Sequence, residues 1–463
     1  MATPRRQYAR AYLHLLVLVL LPCCGFQRCC AATQSHPIDE ARLLLQIKSA
    51  WGDPPVLLAW NATASDAHCG WPYVRCNRAG RVSGLYLADV NVSGPFPDAI
   101  ASLSRLRHLD LRYNNIAGVF PTSLYRCRSL KYLSLSWNNF IGELPADIGV
   151  GLSASLTTLS LSRNRFNGTI QPSLSRLHNL RFLRLSNNFF VGTIPDAIAS
   201  LSRLRHLDLR NNNIAGVFPT SLYRCRSLEY LDLSMNHFAG ELPADIGLGL
   251  SASLTTLYLS RNRFNGTIPA ELGELTSLQD LYLGNNSFAA GELPPSFRKL
   301  TNLTALTVWS CNLVGDFPTF LVEMPELEIL DLSNNSLTGS IPPGIWRLNK
   351  LQVLFLSENN FSGEIPASIA RLSTLIDLEL DNNRFNGTLP PELGKHSLDL
   401  ASVSVDNNDL TGAIPEWLCN GGNLYSFSAS SNRLNGSIPT GLANCASLSK
   451  LRLDNNQLSG QVP

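Results

Sequence analysis

One unit of roughly 24 residues recurs along almost the whole chain and leaves few folds open to it. HLDLRYNNIAGVFP, YLSLSWNNFIGELP, FLRLSNNFFVGTIP and ILDLSNNSLTGSIP all fit LxLxxNxLxGxIP. About sixteen copies align, with the Asn at Asn114, Asn138, Asn164 and onward to Asn456. Val90 and Cys311 hold that place in the first and tenth copies. In LxL both Leu point one way and the residues between them point the other. One strand this short cannot bury its apolar face, but stacked copies form parallel strands over a continuous Leu core. The Asn amide satisfies backbone groups that the bend leaves unpaired. Cys311 is a weak donor, so a looser turn is expected there. At about 4.8 Å per strand the sheet extends roughly 70–80 Å.

Charge excludes one class of partner. Charged residues make up 16% of the chain and the formal charge is +2. Arg5, Arg6, Arg10 and Arg28 all fall in the first 32 residues, which hold no acid. The remainder is near neutral and makes no electrostatic case for nucleic acid. The same first residues read as an address: basic MATPRRQYAR, apolar YLHLLVLVLLP, then small CCAA with cleavage after Ala32. The apolar run is short of the about 20 residues a membrane span needs. An uncleaved anchor is the alternative, and the small-residue flank argues against it. The chain is expected in the secretory pathway, extracellular or at the outer face of the plasma membrane.

LxGxIP at this spacing, from residue 81 to 463, resembles the plant-specific leucine-rich-repeat family. The resemblance implies an α/β solenoid: an arc with a parallel concave β-sheet and an N-terminal helical cap. IDEARLLLQIKSAW reads as the amphipathic cap helix, with Leu43, Leu44, Leu45, Ile47 and Trp51 inward. HCGWPYVRC resembles the family's CxW…VxC cap, which implies a Cys69–Cys76 disulfide. The expected domains are a leader at 1–32, a cap at 33–80 and a solenoid at 81–463 without a C-terminal cap. Cys23, Cys24, Cys29 and Cys30 lie in or beside the leader. Cys127 and Cys225 fill equivalent LxxC sites and read as buried thiols. Cys419 and Cys445 occupy matching places in adjacent copies, so they either pair or stack. No Cys/His set has metal-ligand spacing, and neither a metal nor another cofactor is expected.

Residues 98–170 recur at 196–268 with few differences, among them Tyr113/Asn211, Ser134/Asp232, Trp137/Met235 and Ser160/Tyr258. A block duplication explains this. Most differences sit at x positions in or beside a strand, where drift costs little stability. Divergence of a binding face is the competing explanation.

Candidate ligand-binding residues lie at such x positions: Tyr230, Asp232, Tyr258, Tyr282, Trp309 and Phe355. Aromatics on a rigid sheet are favoured binding anchors, though stacking between strands accounts for them as well. Acids follow at Glu358, Asp377, Glu379, Asp381, Asp406 and Asp409, then cations at Arg433, Lys450 and Arg452. SLSKLRLDNN resembles the repeat carrying an Arg-x-Arg pair in the peptide-sensing, HAESA-like subfamily of receptor kinases. There the pair holds the free carboxylate of a small secreted peptide, and Lys450 and Arg452 fall on the matching positions. Lys450 replaces a planar fork by a point charge; two ordinary solvated cations are the alternative reading. The implied function is an extracellular ligand-recognition domain of a receptor-like kinase, with a small secreted peptide and a co-receptor kinase of the same repeat class as partners.

Such receptors continue into a cap, a membrane helix and a kinase, so a membrane link is expected only through a missing C-terminal segment. The chain has no VAIK-type Lys, HRD or DFG, and no GxSxG or HExxH, so no catalytic residue is assigned. Kinase activity would belong to a chain that continues past residue 463. A secreted inhibitor of a cell-wall-degrading enzyme and an inert truncated product are the rival readings. N-x-S/T sequons mark Asn61, Asn91, Asn167, Asn265, Asn302, Asn386 and Asn435 for glycosylation. Those at Asn285, Asn334 and Asn360 are read as facing the concave side, where glycans would narrow the groove.

Overall fold

The computed structural model describes residues 39–61 and 67–461. The chain divides into Met1–Asp39 and Glu40–Pro463. The expected leader, with its four cysteines, lies outside the described residues.

Each LxL forms a strand of three residues. His108–Asp110, Tyr132–Ser134, Thr158–Ser160, Phe182–Arg184 and His206–Asp208 lie side by side. They pair in parallel and in register, so Leu109, Leu133, Leu159, Leu183 and Leu207 make one buried column. A slip of one residue would turn every Leu to water, which fixes the register. The sheet has 17 strands. One, Val74–Cys76, belongs to the cap and pairs antiparallel with Val82–Tyr86.

After LxL the chain bends through a left-handed residue: Tyr113 (φ 56°), Trp137 (φ 55°), Arg163 (φ 53°), Met235 (φ 55°) and Arg261 (φ 55°). Such a conformation costs a side chain roughly 1–2 kcal/mol. The Asn that follows offsets it. Asn138 Nδ2 donates to Leu111 O (2.8 Å) and Leu135 O (3.2 Å), while its Oδ1 accepts from Ile116 N (2.9 Å). Each Asn thereby ties its own bend to the preceding copy. Cys311 keeps only the donor half of this pattern: its Sγ lies 3.4 Å from Leu283 O and 3.5 Å from Trp309 O. Around it Asn312 Nδ2 reaches Phe288 O at 2.7 Å, and Asn335 Oδ1 accepts from both Cys311 N (3.0 Å) and Leu313 N (2.9 Å).

Beyond the Asn, a second row of short strands forms smaller sheets, such as Ser93–Pro95, Asn115–Gly118, Asn139–Glu143 and Arg165–Asn167. Proline then sets the return: Pro97 (φ −75°) leads the short 3-10 helix Asp98–Ser102, one of several along the solenoid. Between the two rows the Phe140, Phe166 and Phe190 rings stack at 6.0 and 6.5 Å.

At the N-terminal end the helix Glu40–Ala50 buries Leu44 and Ile47, with Trp51 just beyond it. Leu43 and Leu45 are only partly covered. Glu40 is 3% exposed. Its carboxylate accepts from Arg81 Nε (2.9 Å) and Val82 N (2.6 Å), joining helix to first repeat strand. Cys69 and Cys76 are disulfide-bonded. They stand with His68 within 4.8 Å, but sulfurs held in a disulfide offer no thiolate to a metal. Cys419 and Cys445 also form a disulfide, 26 residues apart. Closing a loop of that length contributes about 3.5 kcal/mol in the chain-entropy account. Cys127, Cys225 and Cys311 are free and buried. Burial pushes the first two thiols up to about 11 and the third up to about 12. No described helix is long and apolar enough to cross a membrane.

Candidate functional site

The strand face of the large sheet carries a depression of about 350 Å³ lined by Tyr258, Tyr282, Trp309, Met235, Arg210 and Arg261, with Ser234, Ser260 and Thr307. The pairing Asp232↔Tyr258↔Tyr282↔Thr307 puts its strand residues in one row. The Tyr258 and Tyr282 rings lie 4.4 Å apart. Trp309 extends the apolar wall because Gly284 stands beneath it; a Cβ there would come within 2.2 Å of the indole. The Arg261 guanidinium covers that indole at 5.5 Å. The Ser260 and Thr307 hydroxyls are buried in this depression and have no hydrogen-bond partner in the protein. Unpartnered buried hydroxyls carry a desolvation cost that a polar ligand removes.

Three of the expected ligand residues, Tyr258, Tyr282 and Trp309, therefore share one cavity. Others are placed differently. Tyr230 stacks on His206 at 4.0 Å and donates to Asp232 Oδ2 at 3.3 Å, so it buttresses the wall. Asp232 is 2% exposed, and Ser234 N (2.9 Å) and Ser234 Oγ (2.5 Å) occupy its Oδ1. It supports the face and is not open to a ligand. Phe355 lies farther along, in register with Asp331 and Glu379. Lys450 and Arg452 share the last described strand of this sheet, both exposed, with Arg452 3.9 Å from Asp406. His108 and His206 are half-buried in rings of the sheet, His108 against Tyr132 at 4.0 Å. Arg433 leaves the face altogether: it begins the second-row strand Arg433–Gly436 and pairs with Asp409 at 2.7 Å. Asn360 likewise follows the bend, its amide bonded to Leu337 O. The period-two rule ends at the left-handed residue, so positions past the ladder Asn face the other way.

Asp232 gives the site a pH signature. Burial, with a smaller contribution from the Asp208 charge, pushes its carboxyl up to about 6 against the Ser234 hydrogen bonds. Its unfolded value is near 4. Between about pH 4 and about 6 the folded state binds the extra proton, so this residue's stabilisation is lost as pH rises through that window. Urea unfolding of Asp232→Ser, the residue at the equivalent Ser134, should show a flatter pH profile and a gain on the order of 2 kcal/mol at pH 7. An unchanged profile would remove Asp232 as its source.

Leucine rich repeat models match residues 81–140, 183–238 and 301–361, and again 155–177, 253–275, 277–300 and 374–396. A Leucine rich repeat N-terminal domain model matches 37–77. Together these cover more than half of the sequence. The chain belongs to the leucine-rich-repeat family. Among solved structures this leucine-rich-repeat solenoid is similar to a TDR receptor, with a TM-score of 0.74 and 34% identity over 82% of this chain and 65% of that one. It is also similar to the plant peptide hormone receptor RGFR1 in complex with RGF2, with a TM-score of 0.68 and 34% identity over 81% of this chain and 62% of that one. Polygalacturonase inhibitor 1 of Oryza sativa subsp. japonica is 36% identical over 76 residues, 16% of this chain and 23% of the inhibitor. The leucine-rich-repeat chain spans less than two thirds of each of these relatives.

The seven sequon asparagines Asn61, Asn91, Asn167, Asn265, Asn302, Asn386 and Asn435 are all exposed. Asn167, Asn265 and Asn386 end second-row strands of the leucine-rich-repeat solenoid, away from the large sheet. Asn285 is different: its amide donates to Trp309 O at 2.7 Å, on the rim of the aromatic depression.

Proposed function

We propose that this solenoid is the extracellular ligand-recognition domain of a receptor-like kinase, at the outer face of the plasma membrane, and that it binds a small secreted peptide laid along the strand face. The carrying observation is the Tyr258–Tyr282–Trp309 depression with its two unpartnered hydroxyls, Ser260 and Thr307. An apolar ligand side chain fills the aromatic walls, and the polar backbone beside it meets the hydroxyls. Lys450 and Arg452 project from the same sheet, two residues apart, where two cations can hold one terminal carboxylate. Phe355 lies between the two points. The peptide-bound surface is then read by a co-receptor kinase of the same repeat class, and phosphotransfer would belong to this protein only in a chain that continues past residue 463 into a kinase domain. The exposed sequon sites on the second-row strands leave this face free when glycosylated.

The test is capture. Secreted plant peptides mixed with a polygalacturonase are passed over immobilised wild-type protein and over Tyr258→Ala/Trp309→Ala, and retained species are identified by mass spectrometry. Peptides are expected on the wild type, with affinity reduced by ~30-fold or more in the variant, since central aromatic anchors contribute most of the binding energy. Retention of a polygalacturonase with no peptide would overturn this reading in favour of the inhibitor one.

A further inference from the structure

The duplicated blocks carry two depressions on the same face. The second, about 260 Å³, is lined by Arg112, Trp137, Ser160, Arg163 and Arg184 with several serines. Its place in the block is that of the aromatic one: Arg112, Ser136 and Arg163 correspond to Arg210, Ser234 and Arg261 at an offset of 98. The chemistry has been exchanged. Ser160 stands where Tyr258 stands, Trp137 where Met235 does, and Arg184 where Tyr282 does. Tyr113, Ser134, Trp137 and Ser160 all line this depression, so differences between the blocks gather in it. Drift is cheap at any x position of the face, but four differences gathered in one cavity favour divergence of a binding face.

What it presents is positive charge and hydroxyl donors. Arg163 lies over the Trp137 ring at 4.0 Å, which holds the guanidinium flat with its N–H edge open. Both residues are in the left-handed conformation, as are Met235 and Arg261 at the equivalent places, whereas Asn187 and Asn211 take it at less cost. Among the described residues, neither Arg163 nor Arg184 forms an ion pair, while Arg112 is shared with Asp110 at 3.3 Å. Asp208 is the facing acid, and its oxygens take Ser186 Oγ (2.6 Å) and Arg210 N (3.1 Å). Ser136 and Ser160 hydroxyls are 2.7 Å apart, so one of the two keeps a proton to donate outward.

We propose that Arg112, Arg163 and Arg184 form an anion subsite for an acidic side chain of the same peptide whose apolar side chain enters the aromatic depression. This rests on the peptide reading above. The pairing Phe182↔His206↔Tyr230↔Thr256↔Asp280 separates Arg184 from Tyr282 by four strand steps. That is about 19 Å at the strand spacing, or about six residues of extended chain at 3.3 Å each. The ligand therefore carries its anion and its large apolar side chain about six residues apart. If its carboxyl end lies at Lys450 and Arg452, the anion is on the N-terminal side.

The probe is a set of synthetic extended peptides, otherwise Gly, Ser and Pro, with one Glu and one Phe separated by three to nine residues and a free C-terminus. Binding to the secreted protein is measured by titration calorimetry. Affinity is expected to peak near six residues. Arg163→Glu/Arg184→Glu should weaken the best peptide at least tenfold, and replacing its Glu by Lys should restore it. Both arginines are on the strand face, and Arg184→Tyr, which copies Tyr282, controls for folding. Loss with Tyr258→Ala but none with the arginine charge reversal would overturn the anion subsite and leave the peptide reading standing. No spacing preference, or no binding by any member while captured plant peptides do bind, would overturn the paired subsites as well.

Discussion

Replacing Glu40 by Ala should detach the cap, at a cost of about 3–5 kcal/mol. The Glu40 side chain is 1% exposed and that of Arg81 30%, at 2.9 Å. Truncation leaves the guanidinium without its partner and, more seriously, leaves the buried Val82 amide, now bonded at 2.6 Å, with no acceptor. The loss falls where the solenoid is most vulnerable, since only the cap shields the first Leu column from water. Glu40→Gln keeps an acceptor for Val82 and should cost less than half as much. Arg81→Ala, which removes the more exposed partner, should also be milder. Tryptophan emission reports the event, because Trp60 and Trp71 stack at 6.0 Å inside the cap and Trp51 is buried against it. The expected result for Glu40→Ala is a separate early transition in urea, absent from wild type. A single transition shifted by less than about 1 kcal/mol would mean that apolar packing alone holds the cap.

Glu40 also shows where sequence reading stops. The Leu columns, the ladder of Asn and the cap helix were legible because each follows from a local period: two for the strand, 3.6 for the helix, and the repeat itself. A buried carboxylate is not local. Its partner Arg81 is 41 residues away, and nothing in EARLLLQ marks Glu40 as inward. The same holds for the Cys419–Cys445 bond, which depends on a Cα separation of 5.8 Å that only stacking creates. At the face, alternation identified Tyr258, Tyr282 and Trp309, and then misplaced Arg433 and Asn360 because it was carried past the bend. The same rule places Asp232 among the ligand-binding residues, although the Ser234 and Tyr230 bonds draw it under the surface. Arg112, Arg163 and Arg184 carry no local signal, since four successive copies must stack before they meet. The signal was present in the block comparison, where Trp137/Met235 and Ser160/Tyr258 recur at cavity positions.

Within the solenoid, the ladder should prove the most sensitive element, and Asn138→Ala its clearest test. The buried Ile116 N loses its acceptor, while Leu111 O and Leu135 O each lose one donor and keep Asn114 Nδ2 (3.0 Å) and Asn164 Nδ2 (2.9 Å). One unsatisfied amide at about 1–3 kcal/mol, with two weakened carbonyls beside it, puts the cost at about 2–4 kcal/mol. The left-handed Trp137, φ 55°, then has nothing to offset its strain. Asn138→Cys should fall in between. Cys311 already shows why: a sulfur reaches the two carbonyls at 3.4 and 3.5 Å, but among the described bonds it takes no amide from the preceding copy. The reciprocal variant, Cys311→Asn, should stabilise that repeat by about 1 kcal/mol by giving Phe288 N an acceptor. Hydrogen exchange reads these locally. The Ile116 amide should lose protection by a hundredfold or more in Asn138→Ala, with distant repeats little changed, because each copy touches only its neighbours. Equal loss of protection along the whole chain would show instead that the solenoid unfolds as one unit. Retained protection at Ile116 would show that the backbone bends hold without the amide.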